Sequence, residues 1–243
     1  MLGIQMDRVL SQHAAIDAVR EALSRRSFLH VVSLNPENVM SAQTDDKFKE
    51  ILNSANIQII DGIGVLLASR WTDEYKTDYE RVTGVDLLAK LVDNLTENNL
   101  LSPLVIGFIG GKTGVATRLA DQCRKKYPSS LQVEFVDIPD IDPNDSKIIR
   151  QIVDLKINLL FVALGSPNQE KWIQDHRSEL SHIVCMGVGG AFDMLTGLTP
   201  RAPKFVQNIG FEWLYRLITQ PWRWGRQVRI IRFAIKVLFA KGN

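Results

Sequence analysis

Short apolar runs, rich in β-branched residues, alternate with longer amphipathic stretches along most of the chain, and this alternation restricts the fold more than any other feature. Runs of this kind predict strands, and stretches with apolar residues three and four apart predict helices. The strands are predicted at 28–34, 57–60, 104–109, 132–136, 159–164 and 183–187, and the helices at 11–24, 45–54, 85–95, 113–127, 146–154 and 168–177. The run at 159–164 is apolar throughout, which is typical of a strand buried on both faces of a sheet. The pattern predicts an α/β fold, with a Rossmann-like, mostly parallel sheet and helices on both of its faces.

The composition is that of a globular protein with an ordinary core. The 243 residues are 45% hydrophobic and 23% charged, which excludes a disordered chain and allows one domain or two small ones. The longest stretch without a charged residue, 98–111, is shorter than the roughly 18–20 residues that a membrane-spanning helix needs. The first 30 residues contain several charged side chains and no long apolar run, so no signal peptide is expected. Only two cysteines are present, which favours a reducing compartment, and a cytoplasmic location is expected.

The charge is distributed unevenly between the two ends of the chain. Residues 201–243 contain nine lysines and arginines against one acid, Glu212, and also hold eight of the 19 aromatic residues. We therefore predict a boundary, with a Rossmann-like domain at 1–200 and a basic, aromatic-rich helical appendage at 201–243. A segment of this composition favours an anionic partner: a membrane surface, a diphosphate or a nucleic acid.

Two glycine-rich loops follow predicted strands, at 107–114 and 187–190. In parallel sheets, ligands bind beyond the carboxyl ends of the strands, and glycine lets backbone N–H groups approach a phosphate there. The alternative is that these glycines only allow a helix and a strand to pack closely. The loop at 107–114 contains Lys112-Thr113 but is not a full Walker sequence, because Ile106 stands where that sequence has its first glycine, and this argues against a P-loop kinase or NTPase.

Two charged side chains between the second and third predicted strands are candidates for catalysis. Asp61 ends that strand and precedes Gly62, so it is either the cap of the next helix or a general base with space for a substrate. Arg81 is either an anion-binding group or the surface partner of its neighbour Glu80.

The segment Asp140-Ile141-Asp142 is a weak candidate for a metal site. Carboxylates two residues apart suit Mg²⁺ or Mn²⁺, which prefer hard oxygen ligands. Because two prolines flank the segment, a turn or a helix cap is the favoured interpretation, and no metal ligand is predicted.

Eight short motifs, taken together and in order, resemble the WecG/TagA/CpsF family of glycosyltransferases. The motifs are Asn-Pro-Glu-Asn at 35–38, Asp-Gly-Ile-Gly-Val at 61–65, Arg-Val-Thr-Gly at 81–84, Gly-Phe-Ile-Gly-Gly at 107–111, the segment 163–172 with its Gln-Glu-Lys-Trp, Gly-Val-Gly-Gly-Ala-Phe-Asp at 187–193, Arg-Ala-Pro at 201–203 and Glu-Trp-Leu-Tyr-Arg at 212–216. The similarity extends over roughly residues 8–230.

The resemblance implies an inverting glycosyltransferase that acts in the synthesis of bacterial cell-surface polysaccharide. Such an enzyme moves a sugar from a UDP-sugar onto a sugar carried by undecaprenyl diphosphate, as a peripheral protein on the inner face of the plasma membrane. UDP-N-acetylmannosamine, its uronic acid and a UDP-hexose are the donors that the resemblance suggests, and the sequence does not choose among them.

The resemblance also implies a set of site residues. Asp61 would be the general base, with Arg81, Gln169 and Ser33 as further catalytic positions; Ser33 stands where the family usually has threonine. The implied substrate-binding residues are Asn35, Gly110, Gly111, Gly165, Gly189, Gly190, Asp193, Arg216, Arg223 and Arg226. Of these, the three arginines match in spacing those of the family's C-terminal appendage, which are thought to fold over the site and meet the diphosphate.

No cofactor is expected, because inverting transfer requires one base and a counter-charge for the leaving UDP. Arginines supply that charge through paired hydrogen bonds, which makes a metal unnecessary. The chain departs from the family at 135–140, where Phe-Val-Asp-Ile-Pro-Asp stands near the family's frequent Gly-Tyr-aromatic sequence. The resemblance therefore assigns no contact with the donor to this loop.

The end of the chain predicts a cationic amphipathic helix. Arg226, Arg229, Arg232 and Lys236 recur at steps of three and four residues, and the apolar Ile231, Ile235 and Leu238 fall on another face. Trp222 and Trp224 precede the helix, and tryptophan favours membrane interfaces. We expect the helix to bind a membrane surface; the alternatives are packing on the body or on a second copy in a homo-oligomer. No nucleic-acid partner is expected, since no recognised binding motif is present.

Two other functions compete with the glycosyltransferase hypothesis. A dinucleotide-dependent oxidoreductase would use the loop at 107–114, but the segment about 20 residues beyond it lacks the acid that binds ribose. A membrane-binding scaffold would have no need of Asp61, Arg81 or Gln169, and replacing Asp61 would then have no effect.

Overall fold

The computed structural model describes residues 1–72, 79–97, 103–127, 133–138, 147–208, 210–219 and 224–240, with the backbone alone at 208, 226 and 227. Within these ranges, six strands form one sheet: β1 (Leu29–Leu34), β2 (Ile57–Ile60), β3 (Leu104–Gly110), β4 (Val133–Ile138), β5 (Leu159–Ala163) and β6 (Val184–Gly187). The strand order is β2-β1-β6-β5-β3-β4, and each neighbouring pair in it is parallel. All six predicted strands are confirmed.

Helices connect the strands and continue beyond the last of them. They are α1 (Gln12–Arg25), α2 (Pro36–Ser41), α3 (Asp46–Ser54), α4 (Ile63–Trp71), α5 (Gly84–Glu97), α6 (Val115–Lys126), α7 (Lys147–Asp154), α8 (Asn168–Asp175), α9 (Ala191–Leu195), α10 (Lys204–Asn208), α11 (Glu212–Thr219) and α12 (Trp224–Ala240). The six predicted helices of the body, now α1, α3 and α5 to α8, are confirmed with small shifts at their ends, and α12 confirms the helix expected at the end of the chain. None of the helices in the described ranges is long and apolar enough to cross a membrane.

Apolar side chains cover both faces of the sheet. On one face, α1, α5, α6 and α9 pack against alternate strand residues such as Val31, Phe108 and Phe161. On the other face, α2, α3, α4 and α12 cover β1 and β2, and α7 and α8 cover the remaining strands, where Val162 is buried. Successive residues of a strand point to opposite faces, so burial on both sides explains the uninterrupted apolar run of β5.

The segment after residue 200 packs on the body at several points. Arg201 donates two hydrogen bonds to Asp86 at the start of α5, at 2.6 and 2.7 Å. Phe233 and Val237 of α12 are buried in the same apolar cluster as residues of α2 and α4. These contacts place the basic segment against the carboxyl ends of β1 and β2, where ligands bind in parallel sheets.

Candidate active site

Asp61 lies at the carboxyl end of β2, between the end of β1 and the start of α5. Its carboxylate faces the backbone N–H of Gly84, which acts to lower its pKa. A Cβ atom at Gly84 would lie 3.6 Å from Ser33 Oγ and 3.9 Å from Asp61 Oδ2, so both side chains face the first residue of α5. The helix that follows, α4, begins at Ile63 with Gly62 as its N-cap and has no side-chain cap, so the alternative that Asp61 caps α4 is wrong.

The pKa of the Asp61 carboxyl is raised above the ordinary range of aspartate. Burial is the largest cause, and the negative charge of Glu212 acts in the same direction. The positive charges of Arg216 and Arg81, and the backbone N–H of Gly84, act in the opposite direction. A carboxylate with a raised pKa holds a proton more strongly, which favours the function of general base.

Arg81 is fixed beside Asp61 by three hydrogen bonds. Its Nε donates to the backbone carbonyl of Asp61 at 3.1 Å, its Nη1 to the carbonyl of Gln207 at 2.8 Å, and its Nη2 to Glu212 Oε2 at 3.1 Å. The alternative of a surface pair with Glu80 is wrong, because Glu80 instead accepts the backbone N–H of Gln12 at 3.1 Å.

Glu212 and Arg216 bring the C-terminal segment to the same point. Glu212 is 7% exposed and lies between the two arginines, and its Oε1 accepts a hydrogen bond from Arg216 Nη2 at 2.8 Å. Gly210 of the same segment packs closely on Ile63, the first residue of α4, since a Cβ atom at Gly210 would lie 2.8 Å from Ile63 Cγ1. Arg216 was predicted for this site from the sequence, whereas Glu212 was not. The available signal was its position as the single acid of residues 201–243.

Gln169 is buried at the start of α8 and holds the loop that follows β6. Its Nε2 donates to Glu170 Oε1 at 2.8 Å, and its Oε1 accepts the backbone N–H of Gly189 at 3.0 Å. A Cβ atom at Gly187 would lie 2.5 Å from Gln169 Nε2, so a side chain there would displace the Gln169 amide. Glu170, which sequence reasoning missed, is fully buried, and burial raises the pKa of its carboxyl. Glu170 thus fixes the orientation of the Gln169 amide, and Gln169 in turn fixes the path of the glycine-rich loop at 187–190.

A crevice is expected at the carboxyl ends of β3 and β5, because the helices after these strands, α6 and α8, cover opposite faces of the sheet. Gly110 and Gly111 lie at the end of β3 with φ near +84°, and Gly165 follows β5 with φ +77°. The backbone N–H of Gly111 donates to the carbonyl of Ala163 at 2.8 Å, which joins the two loops. Gly107 has a packing function instead, since a Cβ atom there would lie 2.7 Å from Ile157 Cδ1.

Three more of the predicted residues lie around this edge of the sheet. Gly190 precedes α9 and has no atom within 4 Å of the position of a Cβ, and Asp193 of α9 lies 3.5 Å from Lys112 Nζ. Asn35 has a structural contact: its side chain caps α2 by accepting the N–H of Asn38 at 2.9 Å.

Some sequence predictions concern residues outside the described ranges. Arg223, Trp222, Asp140 and Asp142 lie there, and for Arg226 the structure gives only the backbone within α12. In the part of the chain that the structure describes, no three or more His, Cys, Asp or Glu residues form a group that could hold a metal ion.

Comparison with known proteins decides the family. All 243 residues match the WecG/TagA/CpsF family of glycosyl transferases. The protein belongs to this family. The resemblance predicted from the eight motifs is thus confirmed, and the function is that of a glycosyltransferase rather than an oxidoreductase or a scaffold.

Two Bacillus proteins are among the relatives. Both bear the name N-acetylglucosaminyldiphosphoundecaprenol N-acetyl-beta-D-mannosaminyltransferase. The protein from Bacillus subtilis strain 168 is 31% identical over 214 residues, which are 88% of this chain and 80% of the relative. The protein from Bacillus spizizenii is 31% identical over 209 residues, which are 86% of this chain and 78% of the relative.

Proposed function

We propose that this glycosyltransferase moves N-acetylmannosamine from UDP-N-acetylmannosamine onto N-acetylglucosamine carried by undecaprenyl diphosphate, with inversion at the transferred sugar. The names of the two Bacillus relatives support the acceptor and the transferred sugar. The observation that carries the mechanism is the position of Asp61. Its half-buried carboxylate lies at the ligand-binding edge of the sheet with two arginines beside it.

In this mechanism Asp61 is the general base. Its carboxylate takes the proton from the attacking hydroxyl of the acceptor while the hydroxyl oxygen forms a bond to the anomeric carbon of the donor. The bond from that carbon to the diphosphate oxygen breaks at the same time, and UDP leaves with the electron pair. A single displacement of this kind inverts the anomeric centre, and the raised pKa of Asp61 favours the transfer of the proton to it.

The arginines neutralise the negative charge that develops on the leaving UDP. Arg216 uses only its Nη2 in hydrogen bonds within the described residues, to Glu212 and Met194, which leaves donors for a diphosphate. Arginine binds phosphate oxygens through paired hydrogen bonds, so this arrangement supports transfer without a metal. Arg223 and Arg226 belong to the same proposal on the strength of the family resemblance.

The remaining predicted residues form the donor and acceptor sites in this proposal. Gly110, Gly111 and Gly165 line the crevice in which the UDP group would bind, and Gly189, Gly190 and Asp193 border it. Ser33 and Asn35 lie at the end of β1 on the side of Asp61, and Gln169 positions Gly189 between the two regions. The proposal divides the chain into a catalytic domain at 1–200 and an appendage at 201–243 that completes the site.

The appendage also binds the membrane in this proposal. Phe233 and Val237 hold one face of α12 against the body, yet Ile231, Ile235 and Leu238 on another face are 58%, 48% and 60% exposed. The exposed cations Arg229, Arg232 and Lys236 accompany them. An apolar face flanked by cations is typical of helices that lie in an anionic membrane interface. The acceptor is lipid-linked, so we place the enzyme on the inner face of the plasma membrane.

The test is UDP release from a panel of UDP-sugars with a short-chain polyprenyl-diphosphate-linked N-acetylglucosamine as acceptor, with and without EDTA. The proposal predicts release from UDP-N-acetylmannosamine that requires the acceptor and persists in EDTA. Faster release from another UDP-sugar would overturn the donor assignment, and loss of activity in EDTA would overturn the metal-free mechanism. Failure to release or to bind UDP under any of these conditions would overturn the proposed function as a whole.

A further inference from the structure

We propose that Glu212 is a positioning residue: it holds Arg81 and Arg216 in place for the donor diphosphate and offsets their charge at the general base. This inference deepens the proposed function and rests on it for the assignment of Asp61. It assigns a specific role to the single acid of the basic appendage. The appendage would thereby control the basicity of a residue in the catalytic domain.

The contacts of Glu212 divide its carboxylate between the two arginines. Oε2 accepts from Arg81 Nη2 at 3.1 Å, and Oε1 accepts from Arg216 Nη2 at 2.8 Å. The side chain of Glu212 is 9% exposed, against 20% for Arg81 and 26% for Arg216. Two cations at one site repel each other, and a buried anion between them removes that repulsion and fixes the direction of both guanidinium groups.

The effect reaches Asp61 through Arg81. The same guanidinium that binds Glu212 donates its Nε–H to the carbonyl of Asp61 and its Nη1–H to the carbonyl of Gln207. Of the three partners of Arg81, Gln207 and Glu212 belong to the appendage, and Asp61 is the proposed general base. A change at Glu212 therefore alters the position of a group that is directly bound to Asp61.

The charged groups that face Asp61 come from several elements. Arg81 precedes α5, Arg216 and Glu212 lie on α11, and Arg201 also interacts with the charges of Asp61 and Glu212. The backbone N–H of Gly84 adds a partial positive charge. Asp86 on α5 pairs with Arg201 through two hydrogen bonds, whereas Glu212 is the anion bound to both Arg81 and Arg216. If its charge is removed, the remaining cations lower the pKa of Asp61 and weaken it as a base.

The most direct test follows the titration of Asp61 by the ¹³C resonance of its carboxyl carbon, assigned by its loss in Asp61→Asn. In Glu212→Gln we expect the pKa of Asp61 to fall by about 0.5 or more, in accord with Coulomb interaction over a few ångströms at intermediate dielectric. The matched control is Glu80→Gln, which removes an exposed acid next to Arg81 in sequence. An unchanged or higher Asp61 pKa in Glu212→Gln would overturn the inference. This readout requires no turnover, so it is independent of the donor panel.

A second variant separates the effect of the Glu212 charge from the effect of its side-chain length. Glu212→Asp keeps the charge but is one methylene shorter, so we expect a nearly normal Asp61 pKa together with a KM for the donor raised several-fold. The proposal also predicts that Glu212→Gln shifts the acid limb of the kcat/KM profile to lower pH. If the donor KM of both variants equals that of the wild type, Glu212 does not position the arginines. If wild type itself fails to turn over any donor, the proposed function fails and the titration still decides the role of Glu212.

Discussion

Arg81 donates its Nε–H to the backbone carbonyl of Asp61 at 3.1 Å, although 20 residues separate the two in the sequence. The backbone supports this contact, because Arg81 forms a parallel bridge with Ile60 and Val82 donates its N–H to the Ile60 carbonyl at 2.8 Å. The segment that carries Arg81 thus continues the sheet beyond the edge strand β2. The base and its neighbouring cation are fixed relative to each other by main-chain hydrogen bonds.

Gln169 should contribute to stability as well as to activity. Gln169→Glu replaces the Nε2–H donor with an oxygen that faces the buried Glu170 carboxyl. We expect a loss of about 2 kcal/mol or more in the free energy of unfolding, because two buried acceptors then face each other without a proton donor. Urea unfolding measures this loss. The matched control is Gln151→Glu on the exposed side of α7, and equal stability of the two variants would contradict the account.

The strands could be predicted from the sequence because burial on both faces leaves a direct signal. In β5 every residue of Leu159–Ala163 is buried, so the apolar run has no interruption. Helices α2 and α4 were missed for two reasons. α2 has only six residues, although Asn35 and Pro36 supply the cap and first residue typical of a helix start. α4 begins with a nearly continuous apolar sequence without helical periodicity and contains Gly64 in its first turn.

The site was only partly predictable, because its decisive contacts join residues that are remote in the sequence. Asp61 and Arg81 were candidates from their place in the sequence, the resemblance added Gln169, and the structure gives each a specific set of hydrogen bonds. Glu212 binds Arg81 across 131 positions of the chain, and no local pattern predicts such a pair. Glu170 was missed because a glutamate beside a predicted site residue on a helix is normally exposed.

The outer face of α12 provides a test of membrane binding. The variant with Ile231→Ser, Ile235→Ser and Leu238→Ser should bind less to vesicles that contain anionic phospholipid, because it loses apolar area that would enter the interface. Its melting temperature should equal that of the wild type, since these side chains are exposed. Vesicle co-sedimentation and thermal unfolding measure the two quantities.

The control for this variant is Val153→Ser with Leu198→Ser, which changes exposed apolar residues elsewhere. Undiminished vesicle binding by the triple variant would contradict the membrane assignment. If the wild type is a homo-oligomer that the triple variant converts to monomers, the face is an interface between copies instead. Truncation after residue 220 is a less specific test, because it also removes Phe233 and Val237 from a buried cluster.

His30 should make the stability of the fold depend on pH. Burial, with a smaller contribution from the charge of Arg177, lowers its pKa to about 3. The unfolded chain takes up a proton below about pH 6.5, whereas the folded protein does not until near pH 3. The contribution of His30 to stability is therefore complete above pH 6.5 and declines as the pH falls, by up to about 1.4 kcal/mol per pH unit.

Urea unfolding between pH 7.5 and 4.5 measures this decline. His30→Phe should lose stability less steeply than the wild type as the pH falls. His13→Gln should follow the wild-type curve, because the His13 side chain is 90% exposed. Parallel curves for the wild type and His30→Phe would show that His30 is protonated in the folded protein, against this expectation.

The measurement that tests the central claim most directly compares the wild type with Asp61→Asn in UDP release and in UDP binding, on the same preparations and with the same lipid-linked acceptor. Asparagine has nearly the shape of aspartate but cannot accept the proton of the attacking hydroxyl. We predict that UDP release falls by about 100-fold or more while the affinity for UDP stays within a few-fold of the wild type. Release at the wild-type rate by Asp61→Asn would show that another group is the base.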